Sequence, residues 1–122
     1  MAKTIMVVDD SASLRQVVSI ALTGAGYEVV QACDGKDALA KLDGRKLHLI
    51  ISDVNMPNMD GLSFVKVAKQ LPAYKFTPVI MLTTEAGETM KQQGQAAGAK
   101  AWVVKPFQPA QMLAAVAKLI LP

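Results

Sequence analysis

Leu47-His48-Leu49-Ile50-Ile51-Ser52-Asp53 is the stretch on which the fold turns. From Leu47 to Ser52 it is short and mostly apolar, and it runs directly into a carboxylate. A strand covered by helices on both faces of a parallel sheet has this composition, because neither face needs polar residues. Four more runs of strand length accompany it: Thr4 to Val8, Glu28 to Ala32, Val79 to Leu82 and Ala101 to Val104. Segments of helical period separate them. Ser13 to Thr23 spaces Leu14, Val17, Val18, Ala21 and Leu22 along a helix, with Ser11 or Ser13 as a capping oxygen and Gly24 and Gly26 as stops. Gly35 to Leu42 ends at Gly44, and Leu62 to Gln70 is terminated by Pro72. Glu85 to Gly98 carries Gly87, Gly94 and Gly98, each costing about 1 kcal/mol in a helix interior, and is expected to be the most mobile segment. Pro109 to Leu121 is apolar almost all round and is expected to bury more than one face. Strict alternation of strand and helix predicts an α/β fold, a three-layer doubly wound (βα)5 sandwich around a five-stranded parallel sheet with right-handed crossovers.

The 122 residues match one domain, residues 1–122, with no room for an attached output domain. No apolar run approaches the about 20 residues of a membrane span, and the first residues lack a signal-peptide layout, so the expected setting is soluble and cytoplasmic. Cys33 is the single cysteine, which excludes a disulfide framework or thiolate cluster and suggests a small packed hydrophobe. Thirteen Lys and Arg against ten Asp and Glu leave +3, but lysines such as Lys3, Lys36, Lys41, Lys66, Lys91 and Lys118 are scattered and form no basic stripe. Nucleic-acid binding is therefore not expected.

Open parallel sheets bind ligands beyond the carboxyl ends of their strands. There the first run delivers Asp9 and Asp10, the third Asp53, the fourth Thr83 and Thr84, and the fifth Lys105. Adjacent strands lie about 4.8 Å apart, so three carboxylates on neighbouring strands would crowd and repel. A hard divalent ion resolves the conflict, and the absence of His and Cys from this set favours Mg²⁺ over zinc. The hydroxyl of Thr83 and the ammonium of Lys105 suit phosphate oxygens. The first turn, Asp9-Asp10-Ser11-Ala12-Ser13, has neither a GxxxxGKS nor a GxGxxG cradle, which argues against a nucleotide or flavin site.

Four stretches then carry a resemblance: Val7-Val8-Asp9-Asp10-Ser11, the segment Ser52-Asp53-Val54-Asn55-Met56-Pro57-Asn58-Met59-Asp60-Gly61, Leu82-Thr83-Thr84 and Lys105-Pro106-Phe107. Together they resemble the receiver domains of response regulators, in particular stand-alone CheY-like ones, over the whole chain. The resemblance implies the strand order 2-1-3-4-5, and Asp53 as phosphoacceptor for a histidine kinase. It implies Mg²⁺ on Asp10, Asp53 and the Asn55 backbone carbonyl, with Asp9 acting through water. Lys105 and Thr83 would contact the phosphoryl oxygens. Trp102 stands where the family carries a switch Tyr or Phe, and its indole is bulkier and lacks the phenolic hydroxyl. Pro106 would follow a cis bond, and Asn55 and Glu85 would tune hydrolysis toward a short phosphoryl lifetime.

The implied protein is a phosphorylation-dependent signalling switch in chemotaxis, not an enzyme beyond self-phosphorylation and autodephosphorylation. Its implied partners are a histidine kinase and a target protein, such as a flagellar-motor switch or a histidine phosphotransferase, docking on the fourth helix, fifth strand and fifth helix. A phosphatase partner and a weak phosphorylation-dependent dimer belong to the same picture. A phosphorelay or phosphate-sink regulator is the alternative within this fold. An Asp-nucleophile phosphatase is disfavoured because Asn55 stands where a second carboxylate is wanted. Asp34, Asp37, Asp43 and Asp60 read as loop and capping acids, His48 as a packed or edge histidine, and Met56, Met59, Met81 and Met112 as filling.

Overall fold

The computed structural model describes residues 3–83, 88–105 and 108–120. Its elements alternate as β1 (Thr4–Val8), α1 (Ala12–Gly24), β2 (Glu28–Ala32), α2 (Gly35–Lys41), β3 (Leu49–Asp53), α3 (Gly61–Gln70), β4 (Val79–Thr83), α4 (Glu88–Ala97), β5 (Ala101–Val104) and α5 (Pro109–Leu119). All four strand pairings are parallel and the order is β2-β1-β3-β4-β5. Side chains alternate across the sheet. Met6, Val8, Ile50 and Met81 meet Phe64 and Val65 of α3 and Ala97 of α4 on one side. Ile5, Val7, Leu49, Ile51, Ile80 and Leu82 meet Val18 and Leu22 of α1 and Met112 and Val116 of α5 on the other. These central strands are buried on both faces, which explains their unbroken apolar sequence.

Three helices start at the carboxyl edge with a side-chain cap. Ser11 Oγ accepts from the Leu14 N–H at 3.2 Å, Asp34 Oδ1 from Asp37 at 2.8 Å, and Asp60 Oδ1 from Ser63 at 2.7 Å. Each cap contributes about 1 kcal/mol and fixes where the loop carrying the site residues ends. Gly26, at φ 96°, turns the chain from α1 into β2 in a conformation a β-carbon would strain.

Several expectations change. β3 is shifted to Leu49–Asp53, so His48 precedes it and Asp53 is its last residue, while β4 extends to Thr83. His48 lies at the strand's approach, where its Nδ1 accepts from the Thr4 N–H at 3.0 Å. The edge strand β2 is only partly buried, having a neighbour on one side alone. Cys33 is exposed, not packed, because it follows the last residue of that edge strand. α5 fully buries Met112 and Val116 on one face, and Ala114, Ala117 and Lys118 face solvent. Its apolar circumference reflects alanine, which needs no cover. Residues 84–87, including Thr84, Glu85 and Gly87, lie outside the described residues, as do Pro106, Phe107 and Leu121.

Candidate functional site

The register brings the expected residues together. Val8 lies opposite Ser52, Asp53 opposite Leu82, and Thr83 opposite Val104, so the ends of β1, β3, β4 and β5 stand side by side. Asp9, Asp53 and Thr83 are buried there, at 1%, 7% and 1% exposure, and Asp10 is open to solvent. One carboxylate oxygen from each of Asp9, Asp10 and Asp53 falls within 4.8 Å of the other two. Lys105 reaches past β4 to place its Nζ 3.0 Å from Asp53 Oδ1 and 3.2 Å from Asp9 Oδ2. Its own N–H donates to the Thr83 carbonyl at 2.7 Å, which anchors the base of that long side chain.

Burial pushes the Asp53 carboxyl above the ordinary carboxylate range; Lys105 counters this and the neighbouring Asp9 charge adds to it. Asp53 Oδ1 also accepts the Val54 N–H at 2.9 Å, and Asp9 Oδ1 accepts the Ser11 N–H at 2.9 Å. Three carboxylates with one ammonium leave the cluster short of positive charge. The donors are all oxygen, which suits a hard cation, and the exposed Asp10 leaves a side open to water, as Mg²⁺ requires. The residues therefore fit the ion that the sequence implies. Asn55, two residues beyond Asp53, is exposed in the loop after β3.

Trp102, opposite Met81 in the register, is half-buried against the core on the α3 and α4 side. A recess of about 230 Å³ beside it is lined by Gln95, Ala99, Lys100 and Ala101. On the outer side of β5 a second, of about 420 Å³, runs between Trp102 and the α5 residues Gln111, Ala115 and Leu119. The indole is thus placed between the core and the surface formed by β5 and α5.

Three contributors escaped the sequence reading. Arg15, in the second turn of α1, donates from Nη1 to the Asp9 carbonyl at 2.6 Å and secures the loop that carries the two leading aspartates. Asn58 adopts φ 67° and donates from Nδ2 to Asp34 Oδ2 at 2.8 Å, tying the loop after Asp53 to the turn before α2. That bond, together with the Asp37 N–H, holds the Asp34 carboxyl below the usual range, with the backbone bond the larger cause. Gly61 opens α3 so close to Asp53 that a β-carbon would lie 1.9 Å from the Asp53 carbonyl oxygen. Asn58 could have been suspected, since Asn tolerates the left-handed region; nothing local in the sequence marks Arg15.

Comparison with known proteins agrees with this geometry. The family described as response regulator receiver domain matches residues 5–117. Protein PilG of Pseudomonas aeruginosa is 37% identical over 112 residues, covering 92% of this chain and 83% of that protein. Chemotaxis protein CheY1 of Helicobacter pylori is 39% identical over 107 residues, 86% of each. Among solved structures, chemotaxis protein CheY4 of Vibrio cholerae superimposes with a TM-score of 0.94 at 49% identity, covering 98% of this chain and 99% of that one.

Proposed function

The chain belongs to the response-regulator receiver family, and we propose that it is a phosphorylation-dependent switch of a chemotaxis-type pathway with Asp53 as its phosphoacceptor. The observation that carries the reading is the buried Asp53 carboxylate, 3.0 Å from Lys105 Nζ and clustered with Asp9 and Asp10 at the end of the central strand. A carboxylate oxygen of Asp53 attacks the phosphorus of a kinase phosphohistidine. The P–N bond breaks, the imidazole leaves with the electron pair and takes up a proton, and a mixed anhydride forms on Asp53. Asp10, Asp53 and the Asn55 backbone carbonyl would hold Mg²⁺, with Asp9 acting through water, and the ion would supply positive charge to the phosphoryl oxygens.

Lys105 already bridges Asp9 and Asp53, so its ammonium needs little movement to pair with a phosphoryl oxygen on Asp53. Phosphorylation turns one negative charge at Asp53 into about two and adds acceptor oxygens. The Thr83 hydroxyl, on the adjacent strand end, moves to meet them. Trp102 then shifts toward the space vacated, and the surface made by α4, β5 and α5 changes its affinity for a target protein. Asn55, exposed in the loop after Asp53, and Glu85, outside the described residues, are the two side chains assigned to tune hydrolysis and reset the switch quickly. Receiver domains are signalling regulators rather than typical enzymes, and the proposed setting is the cytoplasm, where kinase and target meet the domain. No helix among the described residues is long and apolar enough to cross a membrane.

The test is intact-mass measurement after incubation with Mg²⁺ and a small acyl phosphate, for the native chain and for Asp53→Asn. An adduct on the native chain alone is expected, and an equally strong adduct on the variant removes Asp53 from the role. Because Trp102 is the single tryptophan, its emission follows the second half of the proposal. Unchanged emission on a chain shown to be phosphorylated removes the indole from the switch.

A further inference from the structure

The opposite, amino-terminal edge of the sheet collects lysines that are dispersed in the sequence. Lys46 lies just ahead of β3, Lys75 between α3 and β4, Lys100 next to the start of β5 and Lys118 in the last turn of α5. All four are exposed, and none forms an ion pair among the described residues. The acids described at this edge are Glu28 and Asp43, and Asp43 is already held by Arg45 at 3.1 Å. Phe76 stands among the lysines at 86% exposure, with the Lys75 ammonium 5.6 Å from its ring centroid. Its ring walls a recess of about 290 Å³ lined also by Lys46, Leu47, His48, Thr77, Pro78 and Leu119. Isolated surface apolar groups need no explanation, but an aromatic this exposed, beside a recess of mixed polar and apolar lining and close to unpaired cations, has the composition of a docking point.

We propose that this recess docks an acidic peptide segment of a partner protein. An apolar side chain of the segment enters between Phe76 and Leu119, and flanking carboxylates meet Lys46, Lys75 and the His48 edge. Charge complementarity selects an acidic occupant, because the charged side chains described beside the recess and its aromatic wall are the unpaired cations Lys46 and Lys75. The concavity selects a chain over a lipid surface: the recess lies between the approach to β3 and the end of α5, where one side chain fits and a flat bilayer does not follow. Leu119 also lines the recess between β5 and α5, so a bound segment would lie next to the surface proposed to change on phosphorylation. The inference does not depend on the role given to Asp53.

The experiment is an NMR titration of the full chain with a synthetic peptide of alternating glutamate and leucine, with a glutamine-for-glutamate peptide as control. Saturable amide shifts confined to residues 45–48, 73–77 and 118–120 are expected, and the control peptide should leave them still. Lys46→Glu combined with Lys75→Glu should weaken binding at least about tenfold, and Asp53→Asn should not change it. Both lysines are exposed, so an unchanged amide spectrum elsewhere verifies that the double variant is folded. Shifts mapping to other surfaces, equal binding by the double variant, or equal binding of the control peptide would overturn the proposal. So would co-sedimentation with phosphatidylserine vesicles in the absence of any peptide binding, which would identify lipid as the occupant.

Discussion

The two edges of the sheet use charge in opposite ways. At the carboxyl edge Asp9 and Asp53 are buried beside Asp10 and share a single ammonium, so each charge is felt strongly by the others. At the amino edge Lys46, Lys75, Lys100 and Lys118 are separate and hydrated, and their mutual repulsion is screened. The first arrangement stores unfavourable energy that a cation can release. The second stores very little, and acts through what it attracts. The net +3 of the chain is the residue of these two opposed edges and describes neither.

The contrast can be broken by measurement. The largest difference should be in packing. Gly61→Ala forces a β-carbon against the Asp53 carbonyl and is expected to lower stability by about 2 to 3 kcal/mol in urea unfolding. Lys75→Ala at the amino edge should stay within about 0.5 kcal/mol, and equal losses would erase the distinction. Next comes the ion. Mg²⁺ at about a hundred times its Kd should stabilise the chain by about 2.7 kcal/mol, seen as a higher Tm. Asp10→Asn should remove most of that gain and Lys46→Glu none of it.

A smaller effect concerns Asp53 without divalent ions. Burial raises its carboxyl above the ordinary value of 3.8, so ionisation is less favourable in the folded chain than in the unfolded one. The penalty is absent at low pH, grows as pH rises from 3.8 through the raised folded value, and is complete above that value. Asp53→Asn, which removes that penalty, is therefore expected to be more stable than the native chain at pH 7 in urea unfolding. A loss at that pH would overturn the account. The smallest effect is at His48, whose pKa is lowered from 6.5 first by burial and then by Lys3 and Lys46. Its contribution to stability is complete above 6.5 and declines as pH falls toward the folded value. The single imidazole resonance should titrate below 6.5 and move upward in Lys46→Glu. A midpoint unmoved by that change would detach His48 from the lysines.

Much of the carboxyl edge was legible because strand ends are local features. An apolar run followed by Asp or Lys places that residue at an edge, and parallel pairing brings the edges together. Strand bounds moved by one or two residues for β3 and β4, since His48 satisfies the strand pattern equally well from just outside it. The amino edge was not legible. Lys46, Lys75, Lys100 and Lys118 are separated by long intervals, and the crossovers that gather them leave no mark in spacing. Cys33 was misjudged for a related reason: burial follows strand order, and the flanking residues do not reveal that β2 has no outer neighbour. Arg15 and the Asn58 bond to Asp34 depend on loop conformations that only the assembled edge defines.

The tight contact between Gly61 and the Asp53 carbonyl has a mechanical meaning. α3 acts as an abutment behind the central strand, so the backbone of β3 has no room to recoil under the charge proposed to be added at Asp53. Strain introduced there must travel sideways, and Lys105 is a tether running in that direction, from the margin of the sheet to its middle. A stiff centre joined by a side-chain tether to an edge strand turns a local change of charge into displacement on one flank, giving the proposed signal its direction.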